Sequence, residues 1–221
     1  MSELYYQNGY LTQTNATVIS AFDEEGHNCV KFDNNLFYPQ GGGQKGDRGE
    51  IIISGIVYKI INTIKDPYGT GSLCITDKLI PESFIGKEAN CKLNWEHRYG
   101  QMKLHTCVHL HHCMIEKVVG DHLDNPKVSS IEDGFAFNKY PKDFINGDIV
   151  EEANKLFLGL LGQDIAVLTY PDLSKENFRW WECLGYKIPC GGVHILNLQE
   201  INHVNITSST KKGFLTIKFT L

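Results

Sequence analysis

A chain of 221 residues with 42% hydrophobic and 21% charged side chains has the composition of a soluble globular protein, with enough apolar residues for one large core or two small ones. No run approaches the roughly 20 consecutive apolar residues that span a bilayer, so no membrane role is expected. Its 21 basic against 26 acidic residues give a net charge of −5, a poor balance for holding nucleic acid tightly but compatible with a transient RNA contact through a local basic surface.

Met1-Ser2-Glu3-Leu4-Tyr5 has no basic start followed by an apolar run, so no secretory signal is expected and a cytoplasmic location is. Ala16-Thr17-Val18-Ile19 and Cys29-Val30-Lys31-Phe32 are β-branched or aromatic runs bounded by polar turn residues, the texture of strands. Ile51-Ile52-Ile53 and Ile56-Val57-Tyr58-Lys59-Ile60-Ile61 flank Ser54-Gly55, a two-residue hairpin signal. Gly69, Gly71 and Pro81 punctuate the next stretch of chain. Short strands at regular spacing predict a small β-barrel or sandwich, and we place this first domain at residues 1–90.

The texture changes at Asn94. Residues 99–119 contain no proline and one glycine, with Met102, Leu104, Val108, Leu110, Ile115 and Val119 spaced closer to a helical than an alternating period. Gly120 is a plausible stop. A second helix is predicted over 148–161, with Asp148 as N-cap and Gly162 as stop. Strands are predicted over 165–169, 203–207 and 214–219. This mixture makes residues 91–221 an α+β domain and the whole chain an α+β protein.

The long predicted helix carries His105 and His109. Residues four apart share a helix face, so both imidazoles can converge on one ion, and zinc suits such nitrogen ligands. A solvated polar face would look similar, because His111 and His112 lie just beyond. Far along the chain, Cys190-Gly191-Gly192-Val193-His194 can bring a thiolate and an imidazole to one point, the glycines permitting backbone that other residues resist. A buried cysteine beside a glycine turn would read the same way. Together the pairs supply four ligands, enough for a tetrahedral zinc, and ligand sets are commonly built from two separated pairs. The seven cysteines are odd in number and scattered, which favours a reduced compartment over a disulfide framework.

Thr106 stands where a zinc peptidase carries its glutamate, which excludes that chemistry. A nucleobase deaminase fails too, because Cys107 replaces the glutamate and no second cysteine comes after Cys190 at the needed spacing. A purely structural zinc stays open. Gly41-Gly42-Gly43-Gln44 is not a phosphate-cradling loop, so no ATP-dependent activity is expected.

Three separated blocks, in order, resemble the AlaX family, free-standing relatives of the editing domain of alanyl-tRNA synthetase. They are Phe37-Tyr38-Pro39-Gln40-Gly41-Gly42-Gly43-Gln44 with Gly46-Asp47-Arg48-Gly49; Asn94-Trp95-Glu96-His97-Arg98-Tyr99 leading into Met102-Lys103-Leu104-His105-Thr106; and Gly185-Tyr186-Lys187-Ile188-Pro189-Cys190-Gly191-Gly192-Val193-His194. The chain departs from the family's usual residues at Val193, at Leu198-Gln199-Glu200-Ile201 and at His111-His112. By length it looks like the medium-sized form.

The resemblance implies an N-terminal β-barrel carrying the glycine-rich motif, followed by an editing domain of the threonyl/alanyl-tRNA synthetase type. It implies zinc on His105, His109, Cys190 and His194. The implied reaction is hydrolysis of the ester joining serine, or glycine, to the acceptor end of tRNA(Ala), with no general base assigned. Alanine, serine and glycine differ too little for one binding site to separate, so an editing site must reject alanine by leaving polar groups unpaired. Gln44, Thr106, Ser129 and Ser130 are candidates for that contact. Arg98, Lys103, Lys211 and Lys212 are candidate tRNA phosphate contacts, and Trp180-Trp181 beside Arg179 could stack a terminal base. Two other readings remain: a catalytically inactive, zinc-stabilised tRNA-binding module associated with a synthetase, and a metallohydrolase acting on another small ester.

Overall fold

The computed structural model describes residues 2–67, 69 and 71–221. The chain divides into two compact units, Met1–Gly41 with Lys45–Tyr99, and Gly42–Gln44 with Gly100–Leu221. The glycine-rich segment is thus split between them in sequence.

In the first unit, six strands close into a barrel: β1 (Gln13–Glu24), β2 (His27–Phe32), β3 (Gly49–Ile53), β4 (Ile56–Lys65), β5 (Ser72–Thr76) and β6 (Glu88–Leu93). Their order around the barrel is β1-β2-β5-β4-β3-β6, with β6 returning to β1, and every pairing is antiparallel. Alternation fills the interior. Ile51 and Ile53 are buried while Ile52 faces outward, and Val18, Val30, Phe32, Ile60, Ala89, Cys91 and Leu93 complete the core with Leu36 and Phe37. The β3–β4 turn places Ser54 at φ 50° and Gly55 at φ 81°, the two positive values a type I′ hairpin requires. The strands are longer than the apolar runs that signalled them, because a strand's outward residues need not be apolar. Strands β5 and β6 were not singled out from the sequence, although β5 is the buried run Leu73-Cys74-Ile75.

Helix α1 (Trp95–Val119) is 25 residues long. Asn94 caps it, its side-chain oxygen accepting from the His97 N–H at 3.1 Å, and Gly120 ends it at φ 78°. Most of α1 beyond Tyr99 is buried, including the polar His105, Thr106, His111 and His112. No helix among the described residues is long and apolar enough to cross a membrane.

In the second unit, β7 (Val128–Ile131), β8 (Phe135–Pro141), β12 (Asn205–Lys211) and β13 (Phe214–Thr220) form an antiparallel sheet ordered β12-β13-β8-β7. Between them in sequence come α2 (Gly147–Leu160) and a three-stranded sheet of β9 (Leu168–Pro171), β10 (Arg179–Cys183) and β11 (Tyr186–Pro189). Helix α1 lies on the larger sheet: the Asn138 side-chain amide on β8 donates to the Val108 carbonyl at 2.9 Å, and His112 stacks on Tyr140. The cap of α2 is Asn146, whose side chain accepts from the Ile149 N–H at 2.9 Å, rather than Asp148. The chain is therefore α+β, with a closed barrel in its first unit.

Candidate metal centre

One turn of α1 separates His105 from His109, and their rings stack at 4.9 Å between centroids. The other two donors come after β11. The Cys190 N–H donates to the Arg179 carbonyl at 3.0 Å, so the thiol sits where the β10–β11 hairpin ends. The chain then turns through Gly191-Gly192 and presents His194, whose ring centroid is 4.2 Å from that of His105 and 5.2 Å from that of His109. Gly192 is required by contact: a Cβ there would lie 2.2 Å from His105 Cε1 and 2.5 Å from its Nδ1. One potential ligand atom from each of His105, His109, Cys190 and His194 falls within 4.8 Å of all the others.

Hydrogen bonds set which ring nitrogens face inward. The Val193 N–H donates to Gln44 Oε1 at 3.2 Å, which marks that atom as the carbonyl oxygen; the same oxygen is 2.9 Å from His105 Nδ1, which must donate to it. The unprotonated nitrogen of His105 is then Nε2, 3.5 Å from Cys190 Sγ. The Thr106 hydroxyl donates to the Met102 carbonyl at 3.0 Å and lies 3.1 Å from His194 Nδ1, accepting from it. That leaves His194 Nε2 with its lone pair 3.3 Å from Sγ. His109 Nε2 is buried with no hydrogen-bond partner among the described residues.

The environment suits a cation. Burial pushes the His105 imidazole down to about 3. Burial, and then the neighbouring imidazoles, push His109 and His194 well below the usual range. All three rings are neutral at physiological pH, the form that binds metal. Burial pushes the Cys190 thiol up to about 11, against the Gly192 N–H and Arg179, which lower it. A cation among these donors would reverse the thiol's preference. Tetrahedral zinc with bonds of 2.0–2.3 Å has ligand-to-ligand edges of roughly 3.5 Å, close to the two nitrogen–sulfur separations, and the orphaned His109 Nε2 gains a partner. The residues fit a soft or borderline four-coordinate metal ion.

Among the other candidates, Gln44 and Thr106 come to the cluster, where each orients an imidazole. Ser129 and Ser130 do not bring their hydroxyls there: Ser129 donates to Asn138 at 2.5 Å and Ser130 to Glu132 at 2.6 Å. The Ser129 carbonyl instead backs the glycine-rich segment, since a Cβ on Gly43 would lie 2.5 Å from it. Arg98 requires a correction. It is wholly buried in the first unit; its Nε donates to both Asp47 oxygens at 2.9 and 2.8 Å, and its terminal nitrogens to the Gly9 and Leu36 carbonyls and to Asp47. Every guanidinium nitrogen is engaged and the side chain is fully buried, so it does not reach a phosphate. Lys103 is partly buried on α1, while Lys211 and Lys212 are exposed at the β12–β13 hairpin. Trp181, which the sequence offered with Trp180 as a platform for a terminal base, is buried and packs against His109 at 5.3 Å between ring centroids; its place beside the donors was not foreseen, though alternation along β10 could have flagged it, had that strand been recognised.

A closed barrel followed by an α+β unit with a buried His/Cys cluster defines a protein built like the editing domain of alanyl-tRNA synthetase. The alanyl-tRNA editing protein AlaX-M of Pyrococcus horikoshii is 29% identical over 213 residues, covering 91% of this chain and 88% of that protein. AlaX-L of the same organism is 28% identical, covering 96% of this chain but 55% of its own length. The alanine–tRNA ligase of Methanobrevibacter smithii is 24% identical over 94% of this chain, which spans only 25% of that enzyme. No family model matches. Over nearly its whole length, the chain is thus similar to alanyl-tRNA editing proteins of the AlaX kind.

Proposed function

We propose that this protein is a zinc-dependent aminoacyl-tRNA deacylase that trans-edits tRNA(Ala) wrongly charged with serine, and with glycine as a second substrate. The observation that carries the reading is the convergence of His105, His109, Cys190 and His194 within 4.8 Å, with the Gln44 carboxamide built onto that cluster, in a chain whose relatives bear the name of alanyl-tRNA editing proteins.

Zinc held by these four residues would supply positive charge beside the scissile ester, and would polarise it directly only on releasing one ligand or taking a fifth. The chain's own groups do the rest. Gln44 and Thr106 hold the His105 and His194 rings in one tautomer each. Gln44 Oε1 is spent on His105 and Val193, but its Nε2 is buried with no partner among the described residues. A seryl hydroxyl beside it accepts a hydrogen bond; an alanyl or glycyl ester leaves it unpaired, so this contact favours serine over both, and alanine most needs excluding because it is the correct amino acid. Lys103, Lys211 and Lys212 remain the proposed contacts to tRNA phosphates. Hydrolysis of the ester needs no ATP.

The test is deacylation of seryl-, glycyl- and alanyl-tRNA(Ala) by the purified protein beside His105→Ala and Gln44→Leu variants, each checked for folding by circular dichroism. Release of serine with alanine spared, loss of release in His105→Ala and loss of the serine preference in Gln44→Leu are expected. No release from any of the three substrates would replace the deacylase by the tRNA-binding module.

A further inference from the structure

We infer that Trp181 contacts the substrate, its indole N–H donating to an acceptor oxygen of the bound aminoacyl ester; this rests on the deacylase reading. The two tryptophans of β10 point to opposite faces of the strand and meet different fates. Trp180 is half-buried, its N–H donates to Asp172 at 2.8 Å, and Lys187 sits over its ring. That indole is satisfied where it is.

Trp181 is fully buried, the largest such side chain of the described residues. Its ring centroid lies 5.3 Å from that of His109 and 6.1 Å from that of His194, so it borders two of the four donors. Its Nε1 is buried and has no hydrogen-bond partner among the described residues. An indole nitrogen only donates, and a buried tryptophan usually finds an acceptor for it. An unmet buried donor is costly to keep, and each one in a native fold calls for an explanation. Of the other buried polar atoms without a partner, His109 Nε2 is the lone pair a metal ion would take, whereas Gln44 Nε2, on the side chain built onto the cluster, is a donor like Trp181 Nε1. Two unmet donors on side chains that border the same four ligands mark a site whose missing acceptors arrive with the ligand. An aminoacyl ester brings the acceptors they need: the carbonyl and ester oxygens in every case, and a hydroxyl when the amino acid is serine.

Trp181→Phe keeps an aromatic ring against His109 and deletes the N–H. The probes are non-hydrolysable 3′-seryl-amide and 3′-glycyl-amide derivatives of adenosine, titrated by calorimetry into the zinc-loaded protein. Zinc content and melting temperature are measured in parallel, and Trp180→Phe serves as the control. We expect binding to Trp181→Phe to weaken about tenfold or more, with zinc content unchanged and Trp180→Phe matching the parent. Equal losses on both probes assign the acceptor to the carbonyl or ester oxygen; a loss on the seryl probe alone assigns it to the hydroxyl. If Trp181→Phe folds poorly, replacing Trp181 by 3-benzothienylalanine, which exchanges N–H for sulfur at nearly constant shape, must give the same weakening. Undiminished binding in these variants overturns the contact and leaves the deacylase standing. A parent protein that binds neither probe overturns both.

Discussion

Thr106 does two things with one oxygen. Its hydroxyl donates to the Met102 carbonyl one helical turn back and accepts from His194 Nδ1, so a residue on α1 fixes the ring of a residue 88 positions away. Partners that orient a metal-binding imidazole also raise its basicity, and losing one typically costs 10–100-fold in metal affinity. Thr106→Val preserves the buried shape and removes the oxygen. Its zinc affinity, measured by competition with a chromophoric chelator, is expected to fall by about that range, with the melting curve of the metal-free protein little changed. Affinity equal to the parent's would mean that His194 is held by its turn alone. The same residue illustrates a limit of motif reading: at the sequence level a threonine between two histidines suggests a substrate contact, and only its hydrogen bonds turn it toward a ligand.

Helix α1 is buried on nearly every side, and its histidines divide between faces. His105 and His109 look toward the cluster. His111 lies among Phe157 and Phe219, its Nε2 bonded to Asn154 at 2.8 Å, and His112 pairs with Tyr140. Burial pushes the His111 imidazole down to about 4, partly offset by Asn154. Because that value lies below the ordinary 6.5 of the unfolded chain, the unfolded state binds the proton more tightly. Stability is therefore complete above pH 6.5 and is lost as the pH falls toward 4, by about 3 kcal/mol in all. Urea unfolding midpoints between pH 7 and pH 4.5 should show this decline in the parent and a shallower one in His111→Leu. Parallel declines would assign the acid sensitivity to other groups.

Across the whole molecule, the long-range contacts reassign residues that local sequence had cast in other roles. Arg98 sits beside the helix motif and reads as a cation free for phosphate. In the fold it is sealed in the first unit against Asp47, 51 positions earlier, with its terminal nitrogens also donating to the Gly9 and Leu36 carbonyls. Asp47 in turn accepts from the Tyr38 N–H at 2.6 Å, so the pair ties the glycine-rich segment's flanks to the helix start. Breaking a buried pair strands the other charge. Arg98→Met is expected to lower stability by about 3–5 kcal/mol, read from denaturant unfolding, with Lys212→Met changing it by less than about 0.5 kcal/mol. A small effect at Arg98 would show that Asp47 finds water or another donor.

Period and punctuation determined the elements that build a core by themselves: the barrel strands with runs such as Ile51-Ile52-Ile53, the long helix up to Gly120, and the α+β character. These are local properties, written in side-chain spacing and in glycines that tolerate positive φ. The four donors could be picked out as two pairs, because a helix face and a glycine turn are also local. Tertiary structure decided the rest. Strands β7, β8, β10 and β11 were not expected because polarity along them does not follow burial: on β8 the buried positions include Asn138 while Phe135 and Phe137 are half-buried. The closeness of Cys190 to His105, the backing of Gly43 by Ser129, and the burial of Arg98 and Trp181 depend on which surfaces meet, and burial is a property of the assembled chain. A side chain's type is set by its own codon; whether its nitrogen faces water, a carboxylate or nothing is set by everything packed around it.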